Sequence, residues 1–148
     1  MPARERNGAR PVLTAFLDTN VLLYSISDRP GERAKAERAQ ALVDKGGFAL
    51  SMQVLQEFYW QATKPNRQWA LPPETARRMI ETWRRFPVQE TTLKLLDLGF
   101  AIQARHRFSF WDSMILAAAR AQGCDVVWTE DMDDGRIVEG MRVANPFR

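Results

Sequence analysis

The sequence predicts an α/β fold with a mostly parallel central sheet flanked by helices. Short apolar runs typical of strands alternate along the chain with longer segments of helical periodicity, which is the pattern of parallel sheets. The 148 residues, 45% of them hydrophobic, suit one domain with a single core. Residues 1–10 are polar and basic and are expected to form a flexible leader, which leaves 11–148 as the domain.

The first half of the chain contains two predicted strands and three predicted helices. The strands cover 12–17 and 48–50, and the helices cover 20–26, 32–45 and 52 to about 63. Ser51 is expected to cap the third helix with its hydroxyl. On that helix the apolar residues that share one face at helical spacing are Val54, Leu55, Phe58, Tyr59 and Ala62.

The second half contains three predicted helices and several short extended segments. Pro72 and Pro73 open a helix that runs to about residue 85, and a brief extended piece follows at 87–90. The next helix covers 91–105, where Leu93, Leu96, Phe100 and Ala104 recur, and the clearest helix covers 109–122. Strands are predicted at 125–128, 136–138 and 141–144.

Cysteine and histidine are too scarce to build several common kinds of site. Cys124 is the only cysteine, so an internal disulfide and a thiolate metal cage are excluded, and a core position is expected for it. His106 is the only histidine, which excludes a histidine-rich zinc site and favours a surface position. The sequence contains neither G-x-G-x-x-G nor G-x-x-x-x-G-K-[ST], the glycine-rich patterns that bind nucleotide phosphates. Carboxylates must therefore carry any catalysis.

Charge and hydropathy indicate the surroundings in which the chain works. No run of about 18 apolar residues is present, and the basic start lacks the apolar stretch of a secretory signal, so we expect a cytoplasmic protein without a membrane span. The net charge is +3, and all but four of the 21 basic residues are arginines. Arginine binds phosphate through a planar fork, which favours a polyanionic partner. Codon bias in a GC-rich genome is an equal explanation of the arginine excess.

Two carboxylates follow predicted strands that lie far apart in the sequence. Asp18 comes directly after the first strand, and Asp131 comes shortly after the strand at 125–128. Ligands of open α/β sheets bind at the carboxyl ends of the strands, so one acidic cleft is expected there. Asp18 has an alternative role as the cap of the helix that follows it. Asp131 has acidic neighbours, and the residues alone do not rank it against Glu130, Asp133 and Asp134.

Two further carboxylates are candidates for the same cleft. Asp112 fits a capping box that begins at Ser109, but its helix is strongly apolar, and a carboxylate in such a place needs a partner. Helical periodicity turns Glu57 toward solvent, although the same position is compatible with the wall of a wet cleft. A cluster of such carboxylates either raises its pKa values or binds a hard cation such as Mg²⁺ or Mn²⁺. The residues therefore suggest metal-assisted hydrolysis of a phosphodiester.

Short motifs along most of the chain resemble those of PIN-domain nucleases. They occur in family order at 17–24 (LDTNVLLY), 54–59 (VLQEFY), 110–115 (FWDSMI) and 129–132 (TEDM), with a similar ending at 145–147 (NPF). The match is closest to the VapC toxin ribonucleases of bacterial type II toxin–antitoxin pairs. Each motif is short, but four in order make a specific signal across 16–147.

The resemblance implies cleavage of single-stranded RNA at a Mg²⁺ or Mn²⁺ site. Matched by motif, the acidic catalytic residues would be Asp18, Glu57, Asp112 and Asp131. Of these, Asp18, Asp112 and Asp131 would hold the metal, and Glu57 would orient or deprotonate the attacking water or bind a second ion. Asn20 and Thr129 would support the site through hydrogen bonds. The resemblance also implies a homodimer and a cognate antitoxin protein that binds in the cleft region.

Two other functions remain open at this point. The same fold serves as an RNA-processing nuclease without an antitoxin, or the chain is a noncatalytic RNA-binding module. Partner surfaces are expected to involve some of three tryptophans, Trp60, Trp69 and Trp83, because exposed tryptophans often anchor interfaces. Packing of all three within the core is the alternative.

Overall fold

The computed structural model describes residues 14–65 and 68–148, and these form six strands and six helices. The elements in chain order are β1 (Ala15–Leu17), α1 (Thr19–Ser25), α2 (Arg33–Lys45), β2 (Phe48–Ser51), α3 (Met52–Ala62), α4 (Pro73–Trp83), β3 (Val88–Gln89), α5 (Leu93–His106), α6 (Phe110–Ala121), β4 (Val126–Trp128), β5 (Ile137–Val138) and β6 (Met141–Ala144). This architecture confirms the predicted α/β fold. The predictions for residues 1–10 and for the first two residues of the strand at 12–17 lie outside the described residues.

The strands pair in the order β3-β2-β1-β4-β6-β5. Every neighbouring pair is parallel except β5 and β6, which form an antiparallel hairpin. From β1 the chain adds β2 and then β3 on one side and later adds β4 on the other. The sheet therefore reverses its strand order between β1 and β4, and this is the place where open α/β sheets form a crevice at their carboxyl edge.

Helix α6 is the most deeply buried helix element of the core. Seven consecutive residues, from Ser113 to Ala119, are buried, so the helix is covered on all sides rather than along one stripe. Ser109 caps its start by accepting a hydrogen bond from the Asp112 backbone N–H at 3.1 Å. Asp112 thus lies in the first turn of a helix whose position is fixed by the core.

Helices α5 and α6 pack closely at one small residue. A Cβ atom placed on Gly99 would lie 2.2 Å from the Sδ atom of Met114, which is far inside van der Waals contact. Glycine at this position therefore allows the two helices to approach each other. The close approach holds α6, and with it Asp112, against the rest of the domain.

The apolar face predicted for α5 is wrong in part. Leu93 is 81% exposed and Phe100 is 51% exposed, whereas the side that packs inward presents Leu95, Gly99 and Ile102. The inward face includes a glycine, which apolar periodicity does not count, and the spacing therefore selected the wrong stripe. On α3, by contrast, the predicted face is confirmed, since the buried residues there are Val54, Leu55, Phe58 and Ala62.

The tryptophans divide between core and surface. Trp83 is 6% exposed and packs its ring edge-on against Phe58 at 4.8 Å between centroids. Trp60 and Trp69 are 65% and 44% exposed. The alternative that all three tryptophans pack within the core is therefore wrong, and Trp60 and Trp69 are accessible to a partner. No helix within 14–65 or 68–148 is long and apolar enough to cross a membrane.

Candidate active site

The register between β1 and β4 brings two distant parts of the sequence together. Leu17 pairs with Trp128, and the Asp18 backbone N–H donates to the Trp128 carbonyl oxygen at 3.0 Å. The residues that follow the two strands, Asp18 and Thr129, consequently stand side by side at the carboxyl edge of the sheet. The acidic cleft expected from the sequence begins at this edge.

Asp18 is buried and fully engaged in hydrogen bonds. The residue is 6% exposed. Its carboxylate accepts one hydrogen bond from the Thr19 backbone N–H at 2.7 Å and another from the Thr129 hydroxyl at 2.8 Å. The capping role is therefore real, and it coexists with a position in the cleft. Burial raises the pKa of Asp18 to about 7, against the lowering effect of these two hydrogen bonds.

Asp131 is exposed and is held by two polar side chains of the predicted supporting set. Asn20 Nδ2 donates to Asp131 Oδ2 at 3.0 Å and lies 3.3 Å from Thr129 Oγ1. The Asp131 backbone N–H donates to the same Thr129 hydroxyl oxygen at 3.1 Å, and Thr129 is completely buried. Asn20 and Thr129 therefore link Asp18 to Asp131 through a continuous hydrogen-bond network.

Glu57 is half-buried and turns into the cleft rather than to open solvent. Its Oε1 accepts from the Thr19 hydroxyl at 2.7 Å, and its Oε2 accepts from Gln53 Nε2 at 3.1 Å. Gln53 also donates to the Trp111 carbonyl oxygen at 3.3 Å, next to Asp112. Of the two positions that the sequence left open for Glu57, the structure therefore has the cleft wall.

The four predicted carboxylates act on one another electrostatically. Burial is the main cause of a raised pKa at Asp112, a hydrogen bond with the Ser109 side chain opposes it, and the negative charges of Asp131 and Glu57 add to it. The same two charges, Glu57 and Asp131, also raise the pKa of Asp18. Asp18 and Asp112 thus have the same two carboxylates as neighbours, which brings all four into one electrostatic site.

The donor set suits a hard cation, although the side chains stand apart. Within the part of the chain that the structure describes, no three His, Cys, Asp or Glu side chains are grouped so as to hold a metal ion. The oxygens of Asp18, Glu57 and Asp131 accept hydrogen bonds from Thr19, Asn20, Gln53 and Thr129. Asp112 has a hydrogen bond with the Ser109 side chain. A bound cation would favour the ionised forms of all four carboxylates, including the two whose pKa values are raised. Oxygen-only donors match Mg²⁺ or Mn²⁺ in kind.

The acidic neighbours of Asp131 each have a partner elsewhere. Glu130 forms an ion pair with Lys35 and accepts from the Tyr24 hydroxyl at 2.9 Å. Asp133 lies 3.7 Å from the Arg136 guanidinium, and Asp134 accepts from the Asn145 backbone N–H at 2.7 Å. The structure therefore distinguishes Asp131 from Glu130, Asp133 and Asp134, which the sequence alone could not do.

Sequence reasoning missed Thr19 and Gln53, which orient Glu57. Thr19 follows Asp18 directly, and Gln53 precedes Glu57 by one helical turn, so the only available signal was their spacing from the two carboxylates. Cys124 is buried, as expected. His106 is partly buried rather than fully at the surface, and its Nε2 lies 2.8 Å from Glu139 Oε2.

The family model of the PIN domain matches residues 15–138. The chain belongs to the PIN-domain family. No curated protein sequence matches it. The matched range begins with β1 and ends with β5, so it contains all four carboxylates of the site.

Solved structures share the architecture of this PIN domain. A toxin–antitoxin complex from Klebsiella pneumoniae matches with a TM-score of 0.67 at 19% identity, covering 90% of this chain and 98% of that one. VapC20 from Mycobacterium tuberculosis, described as a toxin that cleaves the sarcin–ricin loop, matches with a TM-score of 0.64 at 21% identity, covering 81% and 92%. DNA-bound VapBC from Salmonella typhimurium matches with a TM-score of 0.61 at 22% identity, covering 91% and 99%. At such identities the likeness establishes a common fold.

Proposed function

We propose that this PIN domain is a metal-dependent endoribonuclease that hydrolyses phosphodiester bonds of RNA. The observation that carries the proposal is the hydrogen-bond network at the carboxyl edge of the sheet, which joins Asp18, Glu57 and Asp131 through Thr19, Asn20 and Thr129. The charges of Glu57 and Asp131 also raise the pKa of Asp112. Such a cluster has a reason to exist if it serves a divalent cation. The basic balance of the chain suits a polyanionic substrate in the cytoplasm.

Asp18, Asp112 and Asp131 are the proposed ligands of Mg²⁺ or Mn²⁺. When bound, the ion would supply Lewis acidity that activates water and offsets charge on the phosphate. Glu57 is held at both oxygens by Thr19 and Gln53, and this fixed orientation suits a group that positions or deprotonates the attacking water. Its alternative role is to bind a second ion.

Asn20 and Thr129 are proposed to hold the ligand set in place. Both bond to a carboxylate of the site, Asn20 to Asp131 and Thr129 to Asp18. Partners of this kind determine ligand orientation, and their loss typically lowers metal affinity about 10–100-fold. They are positioning residues rather than catalytic ones.

The finer assignment is to the toxin of a type II toxin–antitoxin pair. Its support is the fold shared with several solved toxin–antitoxin complexes, together with the motifs along the chain. The proposal includes a cognate antitoxin protein and a homodimer. Exposed apolar side chains on α5 and α6, namely Leu93, Phe100 and Trp111, favour association with another protein surface. A neighbouring reading frame for a small DNA-binding protein with a flexible tail would support the toxin assignment over RNA processing.

The decisive experiment is RNA cleavage with and without a chelator. Purified protein is incubated with a panel of structured RNAs in Mg²⁺, in Mn²⁺ and in EDTA, and the cut positions are mapped. We expect discrete cuts that EDTA abolishes. Asp18→Asn should remove cleavage while leaving the circular dichroism spectrum unchanged, whereas Asp97→Asn, an exposed position on α5, should cleave like the wild type.

Two results would contradict the proposal. Wild-type cleavage rates in Asp18→Asn with Mg²⁺ present would remove Asp18 from the site. Absence of Mg²⁺ or Mn²⁺ binding at millimolar concentrations, together with retained RNA binding, would favour a noncatalytic RNA-binding module.

A further inference from the structure

A cavity beside the candidate site has no assigned ligand. It has a volume of about 560 Å³ and lies between α1, the turn at 26–32, the end of α3 and the segment at 68–71. Two of its lining residues, Asn20 and Glu130, belong to the hydrogen-bond network around Asp131. The cavity therefore adjoins the network that holds Asp131, and its size falls in the range of small-molecule pockets.

Trp69 and Arg29 form a cation–π pair in this cavity. The Arg29 guanidinium carbon lies 4.7 Å from the centroid of the Trp69 ring, and Trp69 is 44% exposed. Arg29 is also held by Glu32, with 3.6 Å between guanidinium nitrogen and carboxylate oxygen. Both an indole ring and a guanidinium plane are surfaces on which nucleobases stack.

The rest of the lining combines apolar walls with polar edges. Leu23, Ile26 and Leu71 provide the apolar part, and the Asp28 carboxylate provides an acceptor at the polar edge. A nucleobase has the matching form, because its faces are apolar and its edge carries donors and acceptors. A carboxylate such as that of Asp28 is a suitable acceptor for an exocyclic amino group.

The lining has three carboxylates, those of Asp28, Glu32 and Glu130, and one guanidinium, that of Arg29. The two glutamates of the lining are ion-paired, Glu32 with Arg29 and Glu130 with Lys35. Arg29 retains 42% exposure of its side chain, so its remaining donors are accessible to a phosphate.

We propose that this cavity binds a nucleobase of single-stranded RNA that flanks the cleaved bond, with the Trp69–Arg29 pair as its stacking platform. The position relative to a cleaved bond rests on the proposed ribonuclease function. Binding of the base itself does not rest on it. A base held in the cavity orients the adjacent phosphate toward the carboxylates and supplies sequence preference next to the cut.

The test compares two exposed tryptophans, each of which has a cationic side chain over its ring. Trp69→Ala removes the platform, and Trp69→Phe retains an aromatic face. Trp60→Ala is the matched control, since Trp60 is 65% exposed, has the Lys64 ammonium 5.7 Å from its ring centroid and does not line the cavity. Affinity for fluorescein-labelled single-stranded RNA hexamers is measured by anisotropy in EDTA, and KM and kcat are measured in Mg²⁺.

We expect Trp69→Ala to raise Kd and KM about 10-fold with kcat nearly unchanged, as for the loss of one stacked base. Trp69→Phe should recover most of the affinity, and Trp60→Ala should match the wild type. Unchanged Kd and KM in Trp69→Ala would overturn the inference and leave the cavity to another ligand, such as a protein segment. The same result would leave the ribonuclease function intact.

The two proposals fail in distinguishable ways. If the wild type binds the hexamers in EDTA and Trp69→Ala weakens binding, the cavity inference stands even where no RNA is cut in Mg²⁺. If the wild type cuts RNA and Trp69→Ala is indistinguishable from it in KM and in cut-site preference, the function stands and the cavity inference is wrong.

Discussion

The Thr129 hydroxyl donates to Asp18 Oδ2 at 2.8 Å, although 111 residues separate the two positions. The same hydroxyl oxygen accepts from Asn20 Nδ2 and from the Asp131 backbone N–H. One buried side chain thus orients three elements of the site at the ends of β1 and β4. A single hydroxyl group therefore controls the geometry of two proposed metal ligands.

Replacing Thr129 with valine should separate this role from packing. Valine retains the shape but removes one of the two donors to the buried Asp18 carboxylate, so the free energy of unfolding should fall by about 1–3 kcal/mol. Cleavage should fall about 10–100-fold because the proposed ligands lose their orientation. Urea denaturation and initial cleavage rates measure the two effects.

Thr129→Ser is the control for that substitution, because it keeps the hydroxyl and removes only a methyl group. Cleavage close to wild type in the serine variant and a large loss in the valine variant are expected together. Equal cleavage in the valine and wild-type proteins would show that the network does not orient the site.

Asp131 and Glu130 are adjacent and should respond very differently to loss of charge. Asp131→Asn removes a proposed metal ligand and should reduce cleavage at least about 100-fold, with a weaker stabilisation by Mg²⁺ in thermal melts. Glu130→Gln loses its ion pair with Lys35 but no proposed ligand, and cleavage should fall less than about 10-fold. The reverse order of effects would assign the metal to Glu130.

The sequence predicted the order of elements, but not every side-chain environment. Apolar spacing located α3 and its buried face, because every inward position there carries an apolar side chain. It failed on α5, where Gly99 lies on the inward face and Leu93 and Phe100 point outward. Apolar periodicity does not identify a helix face that packs through a glycine, because the contact is supplied by Met114 on the partner helix.

The carboxylates show the same limit in another form. Periodicity favoured solvent for Glu57, and the structure has it hydrogen-bonded to Thr19 on a different helix. The choice of Asp131 rested on motif alone, whereas its separation from Glu130 depends on Lys35, which is 95 residues away in the sequence. Long-range pairings of this kind cannot be read from local sequence.

Glu139 should make the stability of the domain depend on acid pH. Its side chain is 9% exposed and lies against His106, Arg105 and Arg120. The hydrogen bond with His106 is the main cause of its lowered pKa, and the two arginines add to it. A carboxyl with a lowered pKa in the folded state stabilises the fold above its unfolded pKa of about 4.3, and this contribution is lost as pH falls through the folded value.

Glu139→Gln should therefore melt below the wild type at pH 6, by roughly 2–4 °C for each kcal/mol lost. The difference should shrink as pH falls below about 4, where the wild-type carboxyl also becomes neutral. Thermal melts between pH 3 and pH 7 measure it, with Glu90→Gln at an exposed position as control. A melting difference that does not change with pH would contradict the ion-pair explanation.

Gly99→Ala should destabilise the packing of α5 on α6. The added methyl group would overlap Met114 Sδ, so the free energy of unfolding should fall by about 1–3 kcal/mol despite the better helix propensity of alanine. In a Met114→Ala background the overlap disappears and the same substitution should become neutral or stabilising. A double-mutant cycle in urea measures this coupling, and additivity of the two substitutions would refute the close contact.

The pairing of β1 with β4 also bears on how the cleft forms during folding. Asp18 and Glu57 lie far before Asp112, Thr129 and Asp131 in the sequence. Neither part of this set makes the cleft alone, because β4 must first pair with β1. The cleft therefore forms only together with the tertiary structure, and local unfolding of either strand would separate its carboxylates.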